Sequence, residues 1–254
     1  MNRRDAMTTL VASAALMPCK AAFASDWGEF SERQRGDPAL PAETIRLDAE
    51  KIQARMTGLA SYRERLPDDK LAKSLVSAAQ PMIGWSRAAT PERIAEVLDV
   101  YSLPFKDKDG AFVPFCAAGV SYLAATAYLT AWGVPSTTNS IRGALLEIDH
   151  YHFYPSPSVL DMYYVAQGKR RWVDAKPGML TPKAGWLVIY DWSGRRSGAD
   201  HVGLVTGFDA QGLHTIEFNT SRQDQKNGGQ VAERTRQYDK FVRGFVRTEL
   251  HTPI

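Results

Sequence analysis

From Gly185 onward the hydrophobic period of this chain changes from helical spacing to two, and it keeps that period to Arg247. Trp186–Trp192, His201–Phe208, Leu213–Asn219, Gln230–Arg236 and Phe241–Arg247 each read as a strand. Asp209–Gly212 reads as a hairpin turn, Gly228-Gly229 as a second turn, and Ser193–Asp200 as a Gly-rich polar loop. Strands joined by such short connections pair antiparallel. The segments upstream are helical. Leu71, Leu75 and Ala78 form a short stripe. Thr90-Pro91 reads as an N-cap with proline at the first helical position, followed by Ile94, Val97, Leu98 and Tyr101. A longer helix is expected from about Pro114, with Cys116, Val120, Leu123, Ala127 and Thr130 at spacings of three and four, ending at Gly133 before Pro135. Residues 135–182, with Pro155, Pro157, Pro177 and Pro182, read as a mixture of short helix and loop. Helices followed by a run of strands define an α+β chain.

The first 24 of the 254 residues read as an export signal. Arg3-Arg4 give a basic start, Met7–Met17 a mildly apolar run, and Ala22-Phe23-Ala24 a cleavage signature. The apolar run is too short to span a bilayer, which takes roughly 20 residues. The paired arginines, weak hydrophobicity and Lys20 point to a twin-arginine route, with the general secretory route as the alternative. The expected location is periplasmic or secreted, with no integral membrane segment once the signal is removed. Cleavage leaves 28 basic against 27 acidic residues, a net charge of +1, so the charge balance offers nothing to nucleic acid. Residues 25–40 read as polar linker. Residues 41–101 read as helices, beginning with Ile45, Ile52, Met56 and Leu59, and no chemistry is read in them. The charges Arg63 to Lys70 form a solvated face.

The chain has two cysteines, Cys19 and Cys116. Cleavage would remove Cys19 and leave one thiol in a compartment that favours disulfides. Val113-Pro114-Phe115-Cys116 places that thiol in the first turn of a helix, where unpaired backbone N–H groups and the helix dipole favour a thiolate. A thiolate nucleophile needs a base, and the base needs an orienting group. Of the five histidines, His201 opens an apolar strand after a polar loop, a rigid and accessible position. His214 lies beside a turn and His251 near the end of the chain. Asp149, His150 and His152 could ligate a metal, but no further ligand pattern joins them, so neither a metal nor a cofactor is expected. In Thr215–Asn219 a period of two puts Glu217 and Asn219 on one face and Ile216 and Phe218 on the other. Either Glu217 or Asn219 could hold the His201 ring by one nitrogen and leave the other for Cys116.

The blocks Phe115-Cys116-Ala117-Ala118-Gly119-Val120-Ser121-Tyr122, Pro182–Trp192, Asp200-His201-Val202-Gly203 and Ile216-Glu217-Phe218-Asn219 occur in this order. Together they resemble the CHAP-type amidase/peptidase family of the papain-like NlpC superfamily. The resemblance covers about residues 105–248. It implies a papain-like fold, with a nucleophile helix packed on a five- to six-stranded antiparallel sheet, as a catalytic domain over 105–254 behind a linker and helical extension over 25–104. It matches Cys116 to the nucleophile, His201 to the base, Glu217 to the acidic orienting residue and Asn219 to the polar residue that follows. The chain departs from the family at Gly185-Trp186, where Gly-Asp is frequent, and at Phe218, where glycine is frequent between the acid and the asparagine. The implied activity is a cysteine amidase or endopeptidase acting on peptidoglycan. An acyl or peptidyl transferase would use the same thioester, with Trp186, Trp192 and Phe218 lining a drier cleft. A non-catalytic wall-binding module is a third reading. Tyr101 is a weak candidate for a second oxyanion donor.

Overall fold

A computed structural model describes residues 68–192, 198–221 and 228–249. The export signal, Cys19, the linker, the Ile45–Leu59 stripe, the tip of the Ser193–Asp200 loop and His251 lie outside the described residues. The described chain is α+β, with five helices and a six-stranded antiparallel sheet. The helices are α1 (Asp68–Ala79), α2 (Pro91–Asp99), α3 (Cys116–Ala131), α4 (Thr138–Tyr151) and α5 (Val159–Gly168). The strands are β1 (Trp172–Asp174), β2 (Leu187–Tyr190), β3 (His201–Asp209), β4 (Gly212–Thr220), β5 (Gln230–Arg236) and β6 (Val242–Val246), in the spatial order β1-β6-β2-β3-β4-β5. None of the described helices is long and apolar enough to cross a membrane.

The five expected strands are present, trimmed or extended by a residue or two. The expected turn at Asp209–Gly212 closes the β3–β4 hairpin. Asp209 Oδ1 accepts the Gln211 N–H at 2.7 Å, and Gly212 sits at φ 132° with its α-carbon against the Arg236 carbonyl, where a side chain would overlap it. The sixth strand that the resemblance allowed for is β1, at a place the sequence pattern does not mark. It is three residues long and pairs only with β6. A helix longer than expected also fills part of the Pro-rich region. α4 begins with a reciprocal cap, in which Thr137 Oγ1 accepts the Ser140 N–H at 3.2 Å and Ser140 Oγ accepts the Thr137 N–H at 2.7 Å.

α3 lies at the centre. Its expected apolar stripe understates it, because every residue from Cys116 to Leu129 except Thr126 is buried. A helix apolar on all sides is an interior helix. α1, α2 and α4 pack on it from the helical side, and β3 and β4 from the sheet. Small residues permit this. Gly119 meets the Phe218 ring so closely that a β-carbon there would overlap it. Phe218 therefore faces the helix, as the period of two in β4 predicts. α3 stops at Ala131, with Gly133 at φ 64° and the Val134 N–H returning to the Leu129 carbonyl at 2.9 Å.

The segment between α1 and α2 joins the sheet. The Gly84 N–H bonds the Val231 carbonyl at 2.9 Å, the Val231 N–H bonds the Trp85 carbonyl at 2.8 Å, and the Arg87 N–H bonds the Gly229 carbonyl at 3.0 Å. Residues 84–87 thus cover the outer edge at the start of β5, which blunts an exposed edge strand. Thr90 precedes α2 as expected, but its hydroxyl does not cap the helix. It turns back to accept the Ser86 N–H at 2.8 Å.

Candidate active site

Cys116 is the first residue of α3, and its thiol is free. Phe115 precedes the helix, and the first backbone bond of the turn runs from the Gly119 N–H to the Phe115 carbonyl at 2.8 Å. The N–H groups of Cys116, Ala117 and Ala118 lie ahead of that bond and have no partner within the helix. They form an N-terminal cradle suited to negative charge.

His201 opens β3 opposite Tyr190 of β2, and its side chain is 2% exposed. Its Nε2 bonds Glu217 Oε2 at 3.1 Å, and the Cys116 side chain lies beside the ring. With Nε2 taken by Glu217, Nδ1 is the nitrogen left for the thiol. The three residues read from sequence as nucleophile, base and acid therefore lie side by side. Burial pushes the His201 pKa down, but the hydrogen bonds and charges of Cys116 and Glu217 outweigh it and raise the value to about 9. At neutral pH the ring is an imidazolium beside the Glu217 carboxylate.

Glu217 is fully buried, and its carboxylate accepts four hydrogen bonds. Oε1 takes Thr215 Oγ1 and Arg236 Nε, each at 2.9 Å. Oε2 takes Arg236 Nη2 at 2.7 Å and the His201 ring. Burial raises the carboxyl pKa, and the Arg236 fork and the His201 ring reverse this and hold it well below the usual carboxylate range. Gly203 sits opposite Glu217 across the ladder, and a β-carbon there would come within 2.9 Å of Glu217 Cγ. The glycine makes room for the carboxylate. Trp192 stacks on Tyr190 at 4.7 Å and 6°, lies 6.1 Å from the His201 ring, and carries the Arg236 guanidinium 5.2 Å above it. This aromatic wall lies beside the His201–Glu217–Arg236 array.

Asn219 occupies a different position from the one the period of two assigns it. The β4–β5 register shifts between Glu217 and Thr220, and Asn219 adopts φ 57°. Its Oδ1 accepts Arg87 Nη2 at 2.9 Å. Of the two alternatives for orienting His201, Glu217 makes the bond, and Asn219 is joined to Arg87. The aromatic set proposed for a dry cleft also separates. Trp192 is beside His201, Phe218 packs on Gly119, and Trp186 Nε1 donates to Glu249 Oε1 at 2.6 Å. Tyr101 is buried near Ser121, five residues along α3 from Cys116. Asp149 pairs with Lys169 at 2.5 Å, whereas the His152 ring meets the Thr248 carbonyl at 3.0 Å. Among the described residues no three His, Cys, Asp or Glu side chains gather as metal ligands.

Arg236, Thr215 and Arg87 were missed by sequence reasoning. Arg236 had a signal. A carboxylate buried inside a sheet needs a cation, and β5 was already expected to pair with β4. Arg87 had none, being 132 residues from Asn219.

Comparison with known proteins returns no match. No family model matches the sequence, no curated protein does, and no solved structure does.

Proposed function

We propose that this chain is an exported cysteine amidase or endopeptidase with a papain-like fold, cutting an amide bond of peptidoglycan. The observation that carries the reading is the linear array Cys116–His201–Glu217–Arg236, with the thiol at a helix N-terminus. The order of the motif blocks and the export signal supply the substrate class.

The mechanism is acyl transfer. Cys116 attacks as a thiolate, since His201 already holds the proton. A sulfur–carbon bond forms at the amide carbonyl, and the oxyanion takes hydrogen bonds from N–H groups at the start of α3. The tetrahedral species collapses, the carbon–nitrogen bond breaks, and the departing amine takes the His201 proton. His201, now neutral, removes a proton from water, which attacks the thioester. The acid leaves and the thiolate–imidazolium pair is restored. Glu217 keeps the ring oriented throughout and stabilises its charged form, and Arg236 keeps Glu217 ionised.

The test is mass spectrometry of muropeptides released from purified sacculi. Wild type is expected to release defined fragments and Cys116→Ala none. Equal release by the two overturns the reading. Sacculus binding without release, unaffected by Cys116→Ser, would make the chain a wall-binding module.

A further inference from the structure

Arg87 lies in the part of the chain in which no chemistry was read, yet it touches both halves of the candidate site. Nη2 donates to the Val113 carbonyl at 2.7 Å, three residues before the nucleophile. The same nitrogen donates to Asn219 Oδ1 at 2.9 Å, two residues after Glu217. The guanidinium lies 5.1 Å from the ring centre of Phe115, the residue that enters α3, and 4.8 Å from that of Phe112. Its own backbone is fixed to Gly229 through the Arg87 N–H. One side chain thus fastens the peptide leading to Cys116 to the irregular end of β4, and a planar, always charged fork suits that task.

We propose that Arg87 is a positioning residue, which holds Cys116 beside His201 through Val113, Phe115 and Asn219, so that the catalytic unit includes residues 84–87. Arg87 itself touches none of the reacting groups. The αL conformation of Asn219 has a place in this. Asparagine tolerates φ 57° better than most residues, and this bend departs from the regular strand conformation just where the amide meets Arg87. The boundary read at 104/105 would then cut through the site's support. The assignment uses the Cys116–His201 pair of the proposed hydrolase and does not need peptidoglycan to be its substrate.

The experiment is the rate of Cys116 alkylation by iodoacetamide against pH, on the full chain, for wild type, Arg87→Ala, Arg87→Lys and Asn219→Ala. A thiolate paired with an imidazolium reacts well below the pH at which an unassisted thiol does. Wild type is expected to keep a reactive arm at pH 6. In Arg87→Ala that arm should fall about tenfold relative to the rate at pH 9, because the pair is loosened while the thiol stays reachable. Arg87→Lys should recover part of it, and Asn219→Ala should reproduce part of the loss. In sacculus digestion kcat should fall with KM nearly unchanged. Circular dichroism establishes that each variant is folded. If Arg87→Ala fails to fold, Arg87→Lys and Asn219→Ala decide. An unchanged pH profile in the folded variants overturns the assignment. A lost low-pH arm in Arg87→Ala, with no digestion of sacculi by wild type, overturns the peptidoglycan reading and leaves the role of Arg87 standing.

Discussion

Among the described residues two histidines are buried, in two different regions, and they behave in opposite ways. His201, at the mouth of β3, is 1% exposed, and His152, after α4, is 2% exposed. Burial opposes charge on both rings. His152 has a carbonyl partner, Thr248 O, and the Arg171 cation nearby, and its pKa falls to about 4. His201 has Cys116 on one side and Glu217 on the other, and its pKa rises to about 9. The contrast shows that depth alone does not decide the charge of an imidazole. The sign of its neighbours does. Glu217 can be such a neighbour only because Arg236 keeps it ionised in the interior.

The comparison can be broken most severely at the thiol. Cys116→Ala should lower hydrolysis by about 10,000-fold or more. It should also lower the titration midpoint of His201 in an NMR titration, while that of His152 stays in place. Glu217→Gln should reduce kcat by about 1,000-fold and destabilise the fold by about 3 kcal/mol, because Arg236 is left buried without its carboxylate. Denaturant unfolding with a parallel rate assay separates the two effects.

The pH dependence of stability sharpens the contrast. Between pH 6.5 and about 4 the unfolded chain binds a proton at His152 that the native chain refuses, so stability falls as pH drops. This limb is worth on the order of 3 kcal/mol. Urea midpoints should fall from pH 6.5 to about pH 4, and His152→Gln should flatten that limb. The alkaline limb of kcat/KM should follow His201, with a midpoint near 9. The smallest effect is expected from Thr215→Val, which removes one of the four bonds to Glu217 and should cost about 1 kcal/mol in urea unfolding.

The sheet was the more legible part of the fold, since alternation of inward and outward residues is a local signal. β1 escaped because three residues do not establish a period. α3 was legible as a helix with an apolar stripe, but its full burial was not, because its outer faces are covered by α1, α2 and α4, which a single helix pattern does not reveal. In the site, Cys116, His201 and Glu217 were legible because each stands at a boundary or on a strand face that local pattern defines. The choice between Glu217 and Asn219 was not legible, since the left-handed backbone of Asn219 ends the alternation that Glu217 obeys. Arg87 and Arg236 are recognised only when distant strands are assembled, for a cation's target leaves no mark near it in the chain.

The contact between Gly119 and Phe218 carries a consequence for related chains. The helix that bears Cys116 approaches the sheet at a point where one partner has no side chain and the other a large one. Their volumes are therefore interdependent. Related sequences with a bulkier residue at the glycine position should carry a smaller one at the phenylalanine position, and the two sites should change together. Gly119→Ala alone would displace the helix from β4, and Gly119→Ala with Phe218→Leu would restore part of the fit. That paired substitution would adjust the distance between thiol and imidazole from behind the helix, without altering either reacting group.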